Sequence, residues 1–302
     1  VIRAAPSLAA ALTLTACTAS DTAPRNAAPA STPAVQPVRT SAPAAAPVIS
    51  GPATFVFDGQ LTQGGWIRGQ APGGTRSAAL NGEPLAVDAQ GRFFAAFDRD
   101  AGSSAVLSAR LADGRVVTSP LSIAPREWQI ERVNVARAPG GATEAFLARR
   151  RPELARIGAA RERNSPSDGW RQSFIWPVQG RISGRFGSQR IYRGEPAAYH
   201  SGLDIAPGAG AAYVAPADGV VVLAAQSPFS LEGNLLIIDH GMGLNSAFLH
   251  SQSLAVSEGQ SVKQGQLLGT VGATGRATGP HLHWSIKWRD ARLDPLLFLP
   301  PR

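Results

Sequence analysis

Apolar and polar residues alternate in short blocks along most of this chain, and the blocks read as strands. Between residues 53 and 125 small apolar groups recur, among them Phe55-Val56-Phe57, Trp66-Ile67, Phe93-Phe94-Ala95-Ala96-Phe97, Ala105-Val106-Leu107 and Val116-Val117. Asn81-Gly82 and Asp113-Gly114, lying between them, are strong hairpin dipeptides. Turn signals at a spacing of about 8–12 residues predict a small antiparallel, immunoglobulin-like β-sandwich. The same texture returns after Phe174. Leu235-Leu236-Ile237-Ile238 reads as a buried strand, Gly241-Met242-Gly243 as its turn, and Leu244 to His250 as the returning strand. No helical period of useful length follows residue 173, so 173–302 predicts a second, mostly antiparallel β domain. The fold class is mainly β.

Three stretches depart from this pattern. Residues 126–172 form a basic, partly helical connector, in which Glu144 to Ile157 carries helix formers and a narrow apolar stripe of Phe146, Leu147, Leu154 and Ile157. Pro152 is expected to break or restart that helix, and its arginines to form a solvated face. Residues 18–52 are Ala, Pro, Ser and Thr with almost no large apolar residue, the composition of a disordered tether. Residues 1–17 hold an uncharged apolar run after Arg3, too short to span a bilayer, that reads as a secretory signal. It ends Leu14-Thr15-Ala16-Cys17, which resembles a bacterial lipobox. Acylation of Cys17 would anchor the protein to a membrane. Thr18, where an aspartate typically retains lipoproteins at the inner membrane, favours the outer one.

Composition narrows the partners. The 302 residues carry a formal charge of +8, with only 17% charged residues and 32 Gly and 24 Pro. That suits β-rich domains with flexible joints and an anionic partner. No helix-turn-helix, zinc-finger or aromatic RNA-binding signature is present, so nucleic acid is not the expected partner. Cys17 is the single cysteine, which excludes a disulfide within the chain.

The candidate chemistry is concentrated at one end. All five histidines lie from His200 onward. His281 and His283 flank one leucine in an alternating segment, with Leu282, Trp284, Ile286 and Trp288 on the opposite face. His200 stands four residues before Asp204, and Ser201-Gly202 argues against a helix there. A His/His pair and a His/Asp pair of this kind make a metal site, most readily for zinc. His240, after the buried strand, reads as a structural histidine.

Tyr199-His200-Ser201-Gly202-Leu203-Asp204 and Gly279-Pro280-His281-Leu282-His283-Trp284 resemble the two signature motifs of the lysostaphin-type (LytM-type) zinc metallopeptidases, which cleave peptide bonds in bacterial peptidoglycan. Ala215 to Val221, Asp239-His240-Gly241 and Val262 to Gln266 match as well, and the resemblance covers about residues 174–299. It implies one Zn²⁺ per chain held by His200, Asp204 and His283, with His250 and His281 as catalytic histidines in roles left open between them. Three protein ligands leave a fourth position for water, the catalytic arrangement. Relatives usually read Tyr-x-His-Leu where this chain has Phe248-Leu249-His250-Ser251, so a hydroxyl that would touch substrate is expected to be missing. The resemblance further implies hydrolysis of stem-peptide cross-links in the cell envelope. Peptidoglycan, a membrane reached through the lipid anchor, and cell-wall or division proteins are the implied partners. A different class, a non-catalytic regulator that activates cell-wall amidases, is the alternative. A lipoyl-type carrier is weaker, because Lys263 lacks the flanking residues such carriers use.

Overall fold

The computed structural model describes residues 50–136 and 143–301. Cys17, the leader and all but the last residues of the tether lie outside them. Seven strands open the described chain: β1 (Val56–Gly59), β2 (Trp66–Gln70), β3 (Thr75–Leu80), β4 (Glu83–Leu85), β5 (Arg92–Ala96), β6 (Ser104–Leu111) and β7 (Val116–Ser122). They pair into two antiparallel sheets, β1-β2-β5 and β4-β3-β6-β7. This is the immunoglobulin-like arrangement, with the fourth strand on the opposite sheet from that of constant-type domains. Alternation explains the burial. On β6, Ala105, Leu107, Ala109 and Leu111 turn inward and the residues between them do not.

β5 breaks the alternation, because Phe93 and Phe94 are both buried. Phe93 packs edge-on against Phe55 inside the sandwich. Phe94 points the other way and meets Trp66, Trp288 and Phe298 at centroid distances of 6.0, 6.3 and 6.5 Å. Trp66 also donates from Nε1 to Leu297 O at 3.1 Å. Each such aromatic pair adds about 0.5–1.5 kcal/mol beyond its buried area. The sandwich therefore shares one core with the C-terminal strands.

The connector contributes β8 (Ile130–Val133) and α1 (Glu144–Arg161). Thr143 caps α1 by accepting from Phe146 N at 3.2 Å. The expected break at Pro152 does not occur, and the helix runs through it. Tertiary bonds on either side of the proline hold it. Arg150 makes two 2.6 Å bonds to the Glu232 carboxylate, and Glu153 accepts from Ser230 N and Oγ at 2.7 Å. The apolar stripe is shifted too: Leu147 and Leu154 are exposed, while Ile157 and Ala160 pack on the sheet. Arg149, Arg151 and Arg156 are exposed as expected, but Arg150 docks the helix and Arg161 bonds Asn245 Oδ1.

The remaining strands are β9 (Arg181–Gly184), β10 (Gln189–Tyr192), β11 (Glu195–Pro196), β12 (Leu203–Ala206), β13 (Ala212–Val214), β14 (Gly219–Phe229), β15 (Gly233–Asp239), β16 (Leu244–Leu254), β17 (Ser261–Val262), β18 (Leu267–Val271), β19 (Leu282–Trp288) and β20 (Ala291–Leu293). The main antiparallel sheet runs β17-β14-β15-β16-β19-β12-β9. β8 pairs parallel with β10, which also pairs with β11, forming a small separate sheet. β15 is buried at every position, as its unbroken apolar run requires. Beneath β19, Leu282, Trp284 and Ile286 are fully buried, and Trp284 stacks with Phe248 and Phe174.

His240 closes β15 as a structural residue. It is inaccessible, with Nδ1 2.7 Å from Asp218 O and Nε2 2.8 Å from Ser246 Oγ. Burial pushes its pKa down from 6.5 to about 4. The unfolded chain therefore takes up a proton that the folded chain refuses. Stability is full above about pH 6.5 and falls as pH drops toward 4, by roughly 3 kcal/mol in all. Denaturant unfolding at pH 7 and pH 4.5 should show a smaller acid loss in His240→Gln than in the wild type. Equal losses would remove His240 as the cause.

Candidate metal centre

Asp204 and His283 face each other across the β12–β19 pair, so their side chains share one face of the sheet. His200 enters from the segment before β12, where its backbone N donates to Ser188 O and its O accepts from Gly187 N, both at 2.8 Å. Asp204 Oδ1 lies 3.0 Å from His200 Nε2 and 2.8 Å from His283 Nδ1, and the two nitrogens are 3.1 Å apart. Three donors on a tetrahedral ion with bonds of about 2.0–2.1 Å would stand roughly 3.3 Å apart. The triangle is close to that size, and its two nitrogens and one carboxylate oxygen suit zinc.

Two glycines make room for it. A Cβ on Gly184 would overlap Asp204 Oδ2, and one on Gly202 would lie 2.6 Å from His283 Nε2. Gly202 sits inside a motif that the sequence marks. Gly184, within Arg181-Ile182-Ser183-Gly184-Arg185, carries no such mark, and its role comes from facing Asp204 across β9–β12.

Three of the histidines share one orienting device. His200 Nδ1 is 3.0 Å from Arg185 O, His250 Nδ1 is 2.8 Å from Thr274 O, and His281 Nδ1 is 2.8 Å from Gly279 O. A carbonyl only accepts, so each Nδ1 carries a hydrogen; in the neutral rings of His250 and His281 that leaves the lone pair on Nε2, whereas His200 Nε2 faces the Asp204 carboxylate as a donor. His281 Nε2 is 3.8 Å from Asp204 Oδ1, and the His250 ring lies 4.9 Å from that of His281 and 6.3 Å from that of His283. All five residues singled out in the sequence thus converge.

The charges are set by opposing effects. Burial raises the Asp204 carboxyl, but hydrogen bonds from the two imidazoles outweigh it and hold it well below the carboxylate range. Burial lowers His200, yet the Asp204 carboxylate wins and its pKa is raised. Burial dominates at His283 and His250 and lowers both. An ionised Asp204 and a neutral His283 are donor states, and an arriving cation would displace the proton favoured at His200.

His250 sits in strained backbone, with φ at 65°. It marks a bulge where β16 changes partner: up to Leu249 it pairs with β19, and from Ser251 with β18. Phe248 is fully buried, stacked between Tyr213 and Trp284. A groove of about 1040 Å³ runs over His200 and Asp204, walled by Glu131, Ser188, Arg190, Tyr192 and Arg276. A second cavity of about 440 Å³, between Arg68, Arg92 and Trp170, does not include the histidines.

The family profile of peptidase family M23 matches residues 198–295. The crystal structure of a Pseudomonas aeruginosa protein assigned to M23 is 31% identical, aligns over 79% of this chain and 95% of that one, and gives a TM-score of 0.61. The chain belongs to peptidase family M23. Within the family it is 36% identical over 139 residues to the murein hydrolase activator NlpD of Salmonella dublin, 46% of this chain and 33% of that protein. It is 38% identical over 97 residues to the peptidoglycan DD-endopeptidase ShyB of Vibrio cholerae, 32% of this chain and 22% of that protein. The M23 chain thus spans a third or less of the length of these two relatives.

Proposed function

We propose that this M23 protein is a zinc-dependent endopeptidase of the cell envelope that hydrolyses peptide cross-links in peptidoglycan. The observation that carries this reading is the pair of unligated imidazoles, His250 and His281, whose Nε2 lone pairs stand beside a His/Asp/His triangle. His200, Asp204 and His283 would hold the ion. Bound there, zinc would acidify a water and polarise the scissile carbonyl. His250 and His281 supply what the ion does not: a proton acceptor at one Nε2, and at the other a donor toward the developing oxyanion or the leaving amine. Their Nδ1 hydrogen bonds fix the rings, so little reorganisation accompanies transfer. Arg276 offers the groove a cation suited to a stem-peptide carboxylate, while Arg190 is paired with Glu131 at 2.6 Å. Acylation at Cys17 would place the enzyme at the outer membrane facing the periplasm. Among the described residues no helix is long and apolar enough to cross a membrane.

The likeness to NlpD favours a second reading, an activator of amidases that cleaves nothing itself. An activator has no need of two oriented, unligated histidines, which is why the endopeptidase is preferred. Digestion of purified sacculi separates the two. Incubation with the zinc-loaded protein alone should lower the cross-linked fraction of the muropeptides that a muramidase afterwards frees, and the new species identify the bond. Cross-links left intact by the protein alone, with stem peptides freed only when an amidase is added, would favour the activator.

A further inference from the structure

We propose that the N-terminal sandwich is a working part of the metal centre, acting through Arg99 as a positioning residue for His200. The inference rests on His200 being a metal ligand and goes beyond it, since neither the sequence motifs nor the family profile reaches residue 99.

Arg99 follows β5 and is only 6% exposed. Its guanidinium leaves the sandwich and enters the C-terminal module. Nη2 donates to Gly187 O at 3.0 Å and to Gln189 Oε1 at 3.3 Å, while Nη1 pairs with Asp100 at 2.6 Å. The same cation lies 4.6 Å from the Tyr199 ring and 5.1 Å from the Trp128 ring. Arg126 stands 4.6 Å from Trp128, and Arg292 stands 5.6 Å from Tyr199. Arginines and rings therefore alternate from the connector, through the sandwich residue, to the residue preceding His200. Desolvated cation–π contacts of this kind are worth more than exposed ones.

Two arms join Arg99 to His200. The backbone arm is the Arg185–Ser188 turn. Gly187, whose carbonyl takes the Arg99 proton, donates its own N–H to His200 O; Ser188 O accepts from His200 N; and Arg185 O accepts from His200 Nδ1. The side-chain arm is Tyr199 itself, together with Gln189, whose Nε2 donates to Ala197 O at 2.7 Å. Gly187 has a φ of 79°, and a Cβ there would run into the Trp128 ring, so this turn fits against the connector only as built. Stability alone does not account for Arg99. Its Nε is buried without an acceptor, and a buried cation of that kind is often no better for stability than an apolar side chain of its size. What a methionine could not do is hold the turn and the Tyr199 ring in one geometry.

The test is zinc affinity of the full chain by competition with a chromophoric chelator, alongside the unfolding temperature of the zinc-free protein. Arg99→Met should fold and unfold cooperatively but bind zinc about tenfold more weakly, the low end for loss of an outer-shell partner. Arg99→Lys, which keeps a charge near Tyr199 but not the two-pronged donor, should fall between the two. Arg76→Met, an exposed arginine on the sandwich, should match the wild type. A folded Arg99→Met with wild-type zinc affinity overturns the proposal even if its unfolding temperature drops. If that variant does not fold, unchanged affinity in Arg99→Lys overturns it. A wild-type protein that binds no zinc would instead strike the metal reading of the site, and this inference with it. Zinc binding without cleavage would sink only the endopeptidase.

Discussion

A His283→Ala protein is expected to fold, to hold no zinc, and to release nothing from sacculi. His283 Nδ1 is one corner of the donor triangle, 2.8 Å from Asp204 Oδ1 and 3.1 Å from His200 Nε2. Its removal leaves two donors, which do not hold zinc against a chelator as three do. The fold should survive because β19 is anchored by its other face, where Leu282, Trp284 and Ile286 are fully buried. Activity should fall to that of a no-enzyme control, since the proposed hydrolysis depends on the ion. Metal analysis after a chelator wash, together with the loss of cross-links from sacculi, makes the check. One zinc per chain in the variant would remove His283 from the ligand set.

Replacing His250 should separate chemistry from metal binding. His250→Ala is expected to keep stoichiometric zinc and to lose about 10²–10⁴ in rate, the usual size of a general acid–base contribution. The residue is held by its Nδ1 bond to Thr274 O and takes no part in the donor triangle. Its left-handed backbone complicates an alanine. Asparagine tolerates that region better, so His250→Asn keeps the bulge while removing the titratable nitrogen. Both variants should be slow. A fast asparagine variant would show that the strained backbone matters and the imidazole does not.

The parts of the site that could be read in the sequence were those set by local period. Alternation through Leu282–Trp288 put His283 on the face opposite the core, and the run Leu235–Ile238 became a strand buried throughout. The immunoglobulin-like sandwich followed from hairpin dipeptides and alternating apolar blocks in the same way. What could not be read depends on residues far apart in the chain. Gly184 matters because β9 lies beside Asp204, and no local pattern announces that neighbour. The backbone carbonyls of Arg185, Thr274 and Gly279 orient three imidazoles, and a carbonyl has no residue type to recognise. The helix runs through Pro152 for a related reason. Its local cost of about 3 kcal/mol is real, but the bonds from Arg150 and Glu153 to the Ser230–Glu232 turn hold the helix through it.

The bulge at His250 divides the site mechanically. His250 bonds Thr274 O, and His281 bonds Gly272 O and Gly279 O, so both rings proposed to handle protons are held by the segment from 272 to 281. His200, Asp204 and His283 are mounted on the Arg185 turn, β12 and β19. The proposed ion capture and the proposed proton traffic thus hang from different brackets of the scaffold. Changes confined to the 272–281 segment should retune turnover while leaving occupancy of the centre alone, giving evolution or an engineer one dial that can be moved without disturbing the other.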